Sequence, residues 1–234
     1  MLFGLTRVEP THRGSCVPAP RILVSQDDFT HSDAGPLSRK TLAHYEGRAD
    51  AFREGTWDHD VSQNIDTLLR FIEAEPPARI LDLGCGPGRD LVALRDLGHE
   101  AVGLDGAESF CRMAREISGQ EVLHQDFLAL DLPDASFDGI FANASLFHVP
   151  LCELERVLVE LRASLKPRGV LFASIPHGPD IERFDGHRYG AYHTPDTWCR
   201  LLAAAGFVEL CQYYRPDGMP REQQPWFASA WRKA

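Results

Sequence analysis

The chain has 234 residues, 44% of them hydrophobic and 25% charged, with a formal net charge of −10. That length accommodates one sizeable core and excludes a second full domain. The acidic balance argues against nucleic acid, whose binders present a concentrated basic face, and leaves a small molecule as the expected partner.

The opening Met1-Leu-Phe-Gly-Leu-Thr-Arg7 has neither the basic leader nor the apolar centre of a signal peptide. No run reaches the ~20 apolar residues needed to span a bilayer, so a soluble, cytoplasmic protein with no membrane partner is expected. Residues 1–36 are rich in Pro, Gly, Ser and Thr without a sustained period and read as a flexible extension. From Leu37 the pattern turns helical through Phe52. A second helix starting near Asp60 puts Val61, Ile65, Leu68, Leu69 and Ile72 on one face. Together, residues 37–75 read as a helical lid on a domain that fills 37–234. Tyr45 and Phe52 lie on one face of the first helix, with Tyr45 a candidate for covering a cofactor. In the polar run Gly55 to Asn64, His59, Asp60 and Asn64 are candidate acceptor contacts; the plainer reading makes Asp60 a helix cap. No metal is expected: Asp58, His59 and Asp60 are neighbours without distant partners, and the six cysteines stand singly with no Cys-x-x-Cys pair.

Arg79-Ile-Leu-Asp-Leu-Gly-Cys-Gly-Pro-Gly-Arg-Asp90 joins a strand buried on both faces to a helix through closely spaced glycines. A dinucleotide fingerprint would place its third glycine at Arg89, so the loop Gly84, Cys85, Gly86, Gly88 and Arg89 reads instead as the adenosyl-cofactor loop of a methyltransferase. Asp105, with Gly106, closes a second strand and is the candidate acceptor for both ribose hydroxyls. Strands at 79–83, 100–104, near 120–123, 137–142 and 169–175 alternate with helices at 89–97, 107–117 and 151–165. A helix near 195–205 and strands near 207–214 and 226–232 follow. That rhythm predicts an α/β fold, a Rossmann-like seven-stranded class I methyltransferase sheet with helices on both faces. Ligands in such sheets sit beyond the carboxyl ends of the strands. Gln125, Asp126 and Phe127 occupy such a place and read as contacts to adenine.

The loop Asn143-Ala-Ser-Leu-Phe-His148 puts Asn143 where amino-methylating enzymes of nucleic acids carry an Asn/Asp-Pro-Pro-aromatic motif, but the prolines are missing, which argues against a flipped base. Asn143 stays a candidate cofactor contact, with Phe147 and His148 facing the methyl group. In Asp185-Gly-His-Arg-Tyr-Gly-Ala-Tyr-His193, Arg188 is the candidate clamp for a carboxylate, with Tyr189, Tyr192 and His193 lining a ring-shaped acceptor; an exposed turn is the plainer reading.

Taken with Gly55-Thr56, His59-Asp-Val-Ser-Gln-Asn64, Arg188-Tyr-Gly190 and Tyr213-Tyr-Arg-Pro216, these motifs resemble the C-terminal methyltransferase domain of the bifunctional ovothiol-synthesis enzyme, over roughly Leu37 to Trp231. The resemblance implies transfer of a methyl group from S-adenosyl-L-methionine to an imidazole nitrogen of 5-thiohistidine. It implies a stand-alone chain working after a separate sulfoxide synthase, with Asp60, Asn64 and His148 in catalytic places. The sequence departs from that family near Ile175 and His177, which leaves another imidazole, thiol, carboxylate or phenol open as acceptor. A non-catalytic cofactor-binding subunit is the reading from a different class.

Overall fold

The computed structural model describes residues 29–234; residues 1–28, and with them most of the extension expected over 1–36, lie outside the described residues. In chain order the helices are α1 (His31–Glu46), α2 (Ala49–Thr56), α3 (Ser62–Phe71), α4 (Arg89–Asp96), α5 (Glu108–Ser118), α6 (Leu151–Ser164) and α7 (Pro195–Ala204). The strands are β1 (Arg79–Leu83), β2 (Glu100–Asp105), β3 (Glu121–His124), β4 (Phe137–Asn143), β5 (Leu165–Pro176), β6 (Ile181–Phe184), β7 (Tyr189–Tyr192), β8 (Phe207–Arg215) and β9 (Trp226–Lys233).

Seven strands form one sheet in the order β3-β2-β1-β4-β5-β9-β8, parallel except for the antiparallel pairings of β9 with β5 and β8. Ile80, Leu81 and Leu83 of central β1 are fully buried because both faces are covered. On one side pack Leu154, Val157, Leu158 and Leu161 of α6 with Trp198 of α7. On the other pack Ile65 and Leu68 of α3, Leu91 and Leu94 of α4, and Cys111 of α5. The chain runs outward from β1 through β2 to β3, then returns to β4 on the other side. That reversal leaves a crevice at the carboxyl ends of β1 and β4, where ligands collect in such sheets.

Three boundaries differ from the sequence expectation. Helix α1 begins at His31, six residues early, because the Asp33 carboxylate accepts from the Thr30 N–H at 2.9 Å and from its hydroxyl at 2.6 Å. This closing of the first turn outweighs Pro36, which sits inside the helix. The helix expected to run on through Phe52 breaks at Gly47, whose N–H caps the Ala43 carbonyl. Ile72 falls just past α3, and its Cδ1 would lie 2.7 Å from a Cβ on Gly139, so the missing side chain of Gly139 lets α3 sit flat on β4.

The segment expected as a candidate acceptor loop or exposed turn is a two-stranded hairpin, β6 with β7. Its turn is fixed by Asp185 Oδ1, which accepts from the N–H groups of His187 and Arg188 at 2.9 Å each. The hairpin anchors α1: the Tyr189 N–H donates to Thr41 Oγ1 at 2.9 Å, and Leu37 packs against Tyr189 and Ala191.

Gly88, at φ 93°, begins α4, and a Cβ there would stand 2.8 Å from the Ala114 Cα of α5; Gly98, at φ 86°, has open space around it. Gly88→Ala therefore adds crowding of about 1–3 kcal/mol to the roughly 1–2 kcal/mol of left-handed strain that Gly98→Ala meets alone. Urea unfolding should show the larger loss for Gly88→Ala, and equal losses would remove the α4–α5 contact as its cause.

Candidate functional site

A cavity of about 1250 Å³ opens at the carboxyl ends of β1, β2, β4 and β5, roofed by Ser38, Thr41, Leu42 and Tyr45 of α1 and by Phe52 and Thr56 of α2. Sites for a single drug-sized ligand run to roughly 1,000 Å³, so there is room for a cofactor and an acceptor together. The floor is the loop after β1, whose glycines have different tasks. At Gly84 the place of a Cβ is taken by the Ser145 Cβ at 2.6 Å, and at Gly88 by α5. Only at Gly86, φ 51°, would an added Cβ meet nothing nearer than the Phe52 ring at 3.7 Å, so this is the glycine whose bare backbone faces the cavity.

Asp105 ends β2 and ties this loop to its own. Its Oδ2 accepts from the Gly86 N–H at 3.0 Å and its Oδ1 from the Ala107 N–H at 2.9 Å. Burial raises its pKa from the ordinary value of 3.8 to about 6 against the opposing backbone hydrogen bonds. Each oxygen keeps lone-pair capacity toward the cavity for a diol. Gly106 is pressed against α1, where a Cβ would stand 2.5 Å from Leu42 Cδ2. Asp126 caps the short turn Phe127–Ala129 through the Leu128 N–H and takes the Ser38 hydroxyl on both oxygens, at 2.9 and 2.8 Å. Phe127 lines the wall beside it.

Behind the loop, Asp82 is buried in the middle of β1 with Oδ2 unpartnered. Desolvation first, and then the nearby Asp90, hold its carboxyl well above the usual range. Arg89 lines the cavity beside Asp90, donating to Asp90 Oδ1 at 2.7 Å and to the Thr56 carbonyl at 2.7 Å, which fastens α2 to α4. The loop end of the cavity is thus lined by carboxylates, Asp90, Asp105 and Asp126, with its arginine engaged. A pyrophosphate would be repelled there. A cationic sulfonium carrying a ribose fits, and so the floor suits S-adenosyl-L-methionine, with Gly86, Asp105 and Asp126 placed to hold it.

The expected residues divide in two. Tyr45, His148 and Arg188 come together: Tyr45 Oη lies 2.7 Å from His148 Nε2 and accepts from Arg188 Nη1 at 3.1 Å. His148 Nδ1 lies 2.6 Å from the Tyr189 carbonyl, which can only accept, so the proton is on Nδ1 and Nε2 receives the Tyr45 hydroxyl. Burial lowers the His148 pKa to about 4, which keeps the ring neutral. Phe147 stacks on His148 with ring centroids 3.9 Å apart, and Tyr192 and Trp226 stand 6.3 Å from Phe147. His59 is exposed at the rim.

Others are tied up in the protein's own hydrogen bonds or lie off the cavity; of these, Asp60, Asn64 and Asn143 still line it. Asp60 accepts from the Ser62 N–H at 2.9 Å, just ahead of α3, whose N-cap is Val61. Asn64 is buried with its amide engaged, donating to Asn143 Oδ1 at 3.0 Å and accepting from Tyr213 at 2.9 Å and Arg215 at 3.2 Å. Asn143 Nδ2 in turn reaches toward Asp90 Oδ2 at 3.4 Å. Gln125 pins its own loop through both atoms of Asp131. Tyr189 is 1% exposed, away from the cavity, its hydroxyl donating to Glu182 and accepting from the Leu151 N–H. His193 is buried against Trp198, with no hydrogen-bond partner on either ring nitrogen among the described residues. Cys85 lines the cavity, its thiol pushed up by burial. Ser38, Asp82, Asp90, Arg215 and Trp226 were not anticipated. A charged residue inside the apolar run Ile80 to Leu83 was the available signal for Asp82.

Residues 81–173 match the family described as Methyltransferase domain. A trans-aconitate 2-methyltransferase from Azoarcus sp. (strain BH72) is 34% identical over 140 residues, 59% of this chain and 53% of that protein. A sterol 24-C-methyltransferase from Gibberella zeae is 30% identical over 195 residues, 74% of this chain and 50% of that protein. The chain thus spans about half the length of these curated relatives. A Burkholderia thailandensis 1,6-didemethyltoxoflavin-N1-methyltransferase, solved with bound 1,6-didemethyltoxoflavin and S-adenosylhomocysteine, superposes with a TM-score of 0.70 at 22% identity over 93% of both chains, which establishes a shared fold.

The raised Asp105 pKa gives a testable pH dependence. Ionising this group costs the empty chain stability as pH rises through about 6, while a diol donating both hydroxyls to this carboxylate would need it ionised. S-adenosylhomocysteine should therefore bind about tenfold more weakly at pH 5 than at pH 7.5, one unit of mismatch being a factor of ten. Calorimetric titration at both pH values should find this difference in the wild type and lose it in Asp105→Asn.

Proposed function

We propose that this chain, which has the class I methyltransferase fold, transfers a methyl group from S-adenosyl-L-methionine to a small molecule, and that the acceptor is an imidazole nitrogen of a 5-thiohistidine-like compound. The observation that carries this reading is the pairing of aromatic walls, Phe147, Tyr192 and Trp226, with the half-exposed Arg188 on the same cavity. A planar ring packs against such an aromatic wall, and a carboxylate fits Arg188, whose acidic contact is Asp185 at 3.6 Å.

The cofactor supplies an electrophilic methyl group on a sulfonium. The chain's own residues have three tasks. Gly86, Asp105 and Asp126 hold the nucleoside end. Arg188 fixes the acceptor's carboxylate and thereby the ring's rotation. Tyr45 and the neutral His148 close the wall between them, with no proton to spare for the acceptor at neutral pH. A neutral imidazole already presents a lone pair, so alignment supplies the acceleration and a strong base is not required. The side chains of Asp60 and Asn64 are occupied by structural bonds, so ring orientation is assigned here to Arg188 and the aromatic walls instead.

A second reading is a polycarboxylate acceptor. It is favoured by Arg215, which lines the cavity and donates only to neutral groups, Gln63 Oε1, Asn64 Oδ1 and the Asp60 carbonyl.

Incubation of the chain with S-adenosyl-L-methionine and, separately, 5-thiohistidine, histidine or a tricarboxylate, followed by mass spectrometry of the acceptor, separates the readings. A gain of one methyl on 5-thiohistidine alone is the expected result. Methylation of the tricarboxylate alone would transfer the assignment to the second reading, and retained cofactor binding with no methylation would overturn both. Arg188→Ala should raise acceptor KM about tenfold or more, the loss of a charge-assisted contact worth roughly 1.5–3 kcal/mol, without changing cofactor affinity. An unchanged KM would remove Arg188 as the clamp. Since the His148 ring is neutral above about pH 4, kcat should show no protonation limb from it between pH 5.5 and 8 in stopped-time assays.

A further inference from the structure

We infer that His31, Cys152 and Glu153 form a binding site for a zinc-class divalent cation that ties helix α1 to helix α6. The three residues lie outside the cavity and come from the first turns of two helices more than a hundred residues apart in sequence. One ligand atom from each, an imidazole nitrogen, the Cys152 sulfur and a Glu153 carboxylate oxygen, falls within 4.8 Å of the others. Bond lengths of about 2.0–2.3 Å around tetrahedral zinc place ligand atoms roughly 3.3–3.8 Å apart, so closure needs shifts of about 1 Å, within the reach of side-chain rotation. The mixed nitrogen, sulfur and oxygen donor set suits zinc rather than calcium or magnesium, which prefer oxygen alone. A fourth position, toward solvent beside the exposed His31, is left for water.

Both ligand-bearing turns are held before any ion arrives. Thr30 and Asp33 close the first turn of α1. At α6, the Leu151 N–H donates to Glu182 Oε1 at 3.2 Å and to Tyr189 Oη at 3.1 Å, fixing the backbone that carries Cys152 and Glu153. Arg156 holds Glu153 Oε2 at 2.8 Å, while Oε1 faces His31 Nδ1 at 2.7 Å, a contact that an ion between the two atoms would replace. Charge also draws a cation: Glu153 of the cluster itself brings negative charge to the site, part of it shared with Arg156. The ion would clamp the start of the helix whose other residues, Ser38, Thr41 and Tyr45, roof the cavity.

The test is titration of the reduced, chelator-treated full chain with Co²⁺, followed by its near-ultraviolet thiolate charge-transfer band and by displacement with Zn²⁺. One equivalent should develop the band, and Zn²⁺ should bleach it. The band should vanish in Cys152→Ala and weaken with at least tenfold lower affinity in His31→Ala. Zn²⁺ at about a hundredfold excess over Kd should raise the wild-type melting temperature by roughly 5 °C and that of the exposed-site variant His31→Ala by about half as much or less. No band, or a band that persists unchanged in Cys152→Ala, would reduce the cluster to the His31–Glu153–Arg156 ion pairs and overturn the inference. Equal Zn²⁺ stabilisation of His31→Ala and wild type would do the same.

Discussion

The carboxylate of Asp105 bonds to backbone on both sides of the crevice between β1 and β2, and the site depends on that link. The Gly84 and Cys85 N–H groups already bond across to the Leu104 carbonyl of β2, at 2.7 and 3.0 Å, and Asp105 adds the bond that reaches the cavity-facing Gly86. With it, Gly86 and Ala107 are fixed relative to the strand ends. A buried carboxylate is costly unless hydrogen-bonded, and here two backbone N–H groups offset part of that cost, while burial and then Asp90 hold the neighbouring Asp82 carboxyl well above the usual range. Arg89, on the cavity lining, compensates Asp90. The carboxylates of Asp105 and Asp126 on the floor complement a positively charged ligand.

The acceptor end follows a different rule. Its polar side chains are largely spent on one another: Asn64 holds Asn143, Tyr213 and Arg215 hold Asn64, and Tyr45 is shared by His148 and Arg188. What remains open to an acceptor is aromatic surface and guanidinium. Such a lining selects by shape and by negative charge rather than by a pattern of neutral donors, because a satisfied amide offers no net gain for a new partner.

Much of the frame was legible in the sequence. Strands announced by apolar runs such as Ile80 to Leu83, and helices by periodic leucines in α6, appear within a few residues of their expected bounds, since burial on both faces leaves few other ways to place such segments. Less legible were the features decided by contacts between distant segments. Composition marked His31 to Pro36 as loose chain, whereas Asp33 and Thr30 close a helical turn there. The segment Asp185 to His193 read as an acceptor-lining cluster or an exposed turn, whereas it pairs as a hairpin in which strand alternation sends Tyr189 and His193 to the core while Tyr192 faces the cavity. Equally, three glycines in one loop look alike in sequence, but Ser145 and Ala114 claim the space at two of them.

Ser38, Thr41 and Tyr45 lie at intervals of three and four residues, along a single stripe of α1, and each is fastened to a different piece of the molecule: Asp126, the backbone of β7, and His148. A rigid rod secured at three points along one edge cannot peel from one end without straining the next fastening. Release is then all-or-none, a turnstile rather than a flap. Molecules entering and leaving the chamber beneath would share one slow step, the simultaneous breaking of those three bonds, on the microsecond-to-millisecond scale of collective helix motions.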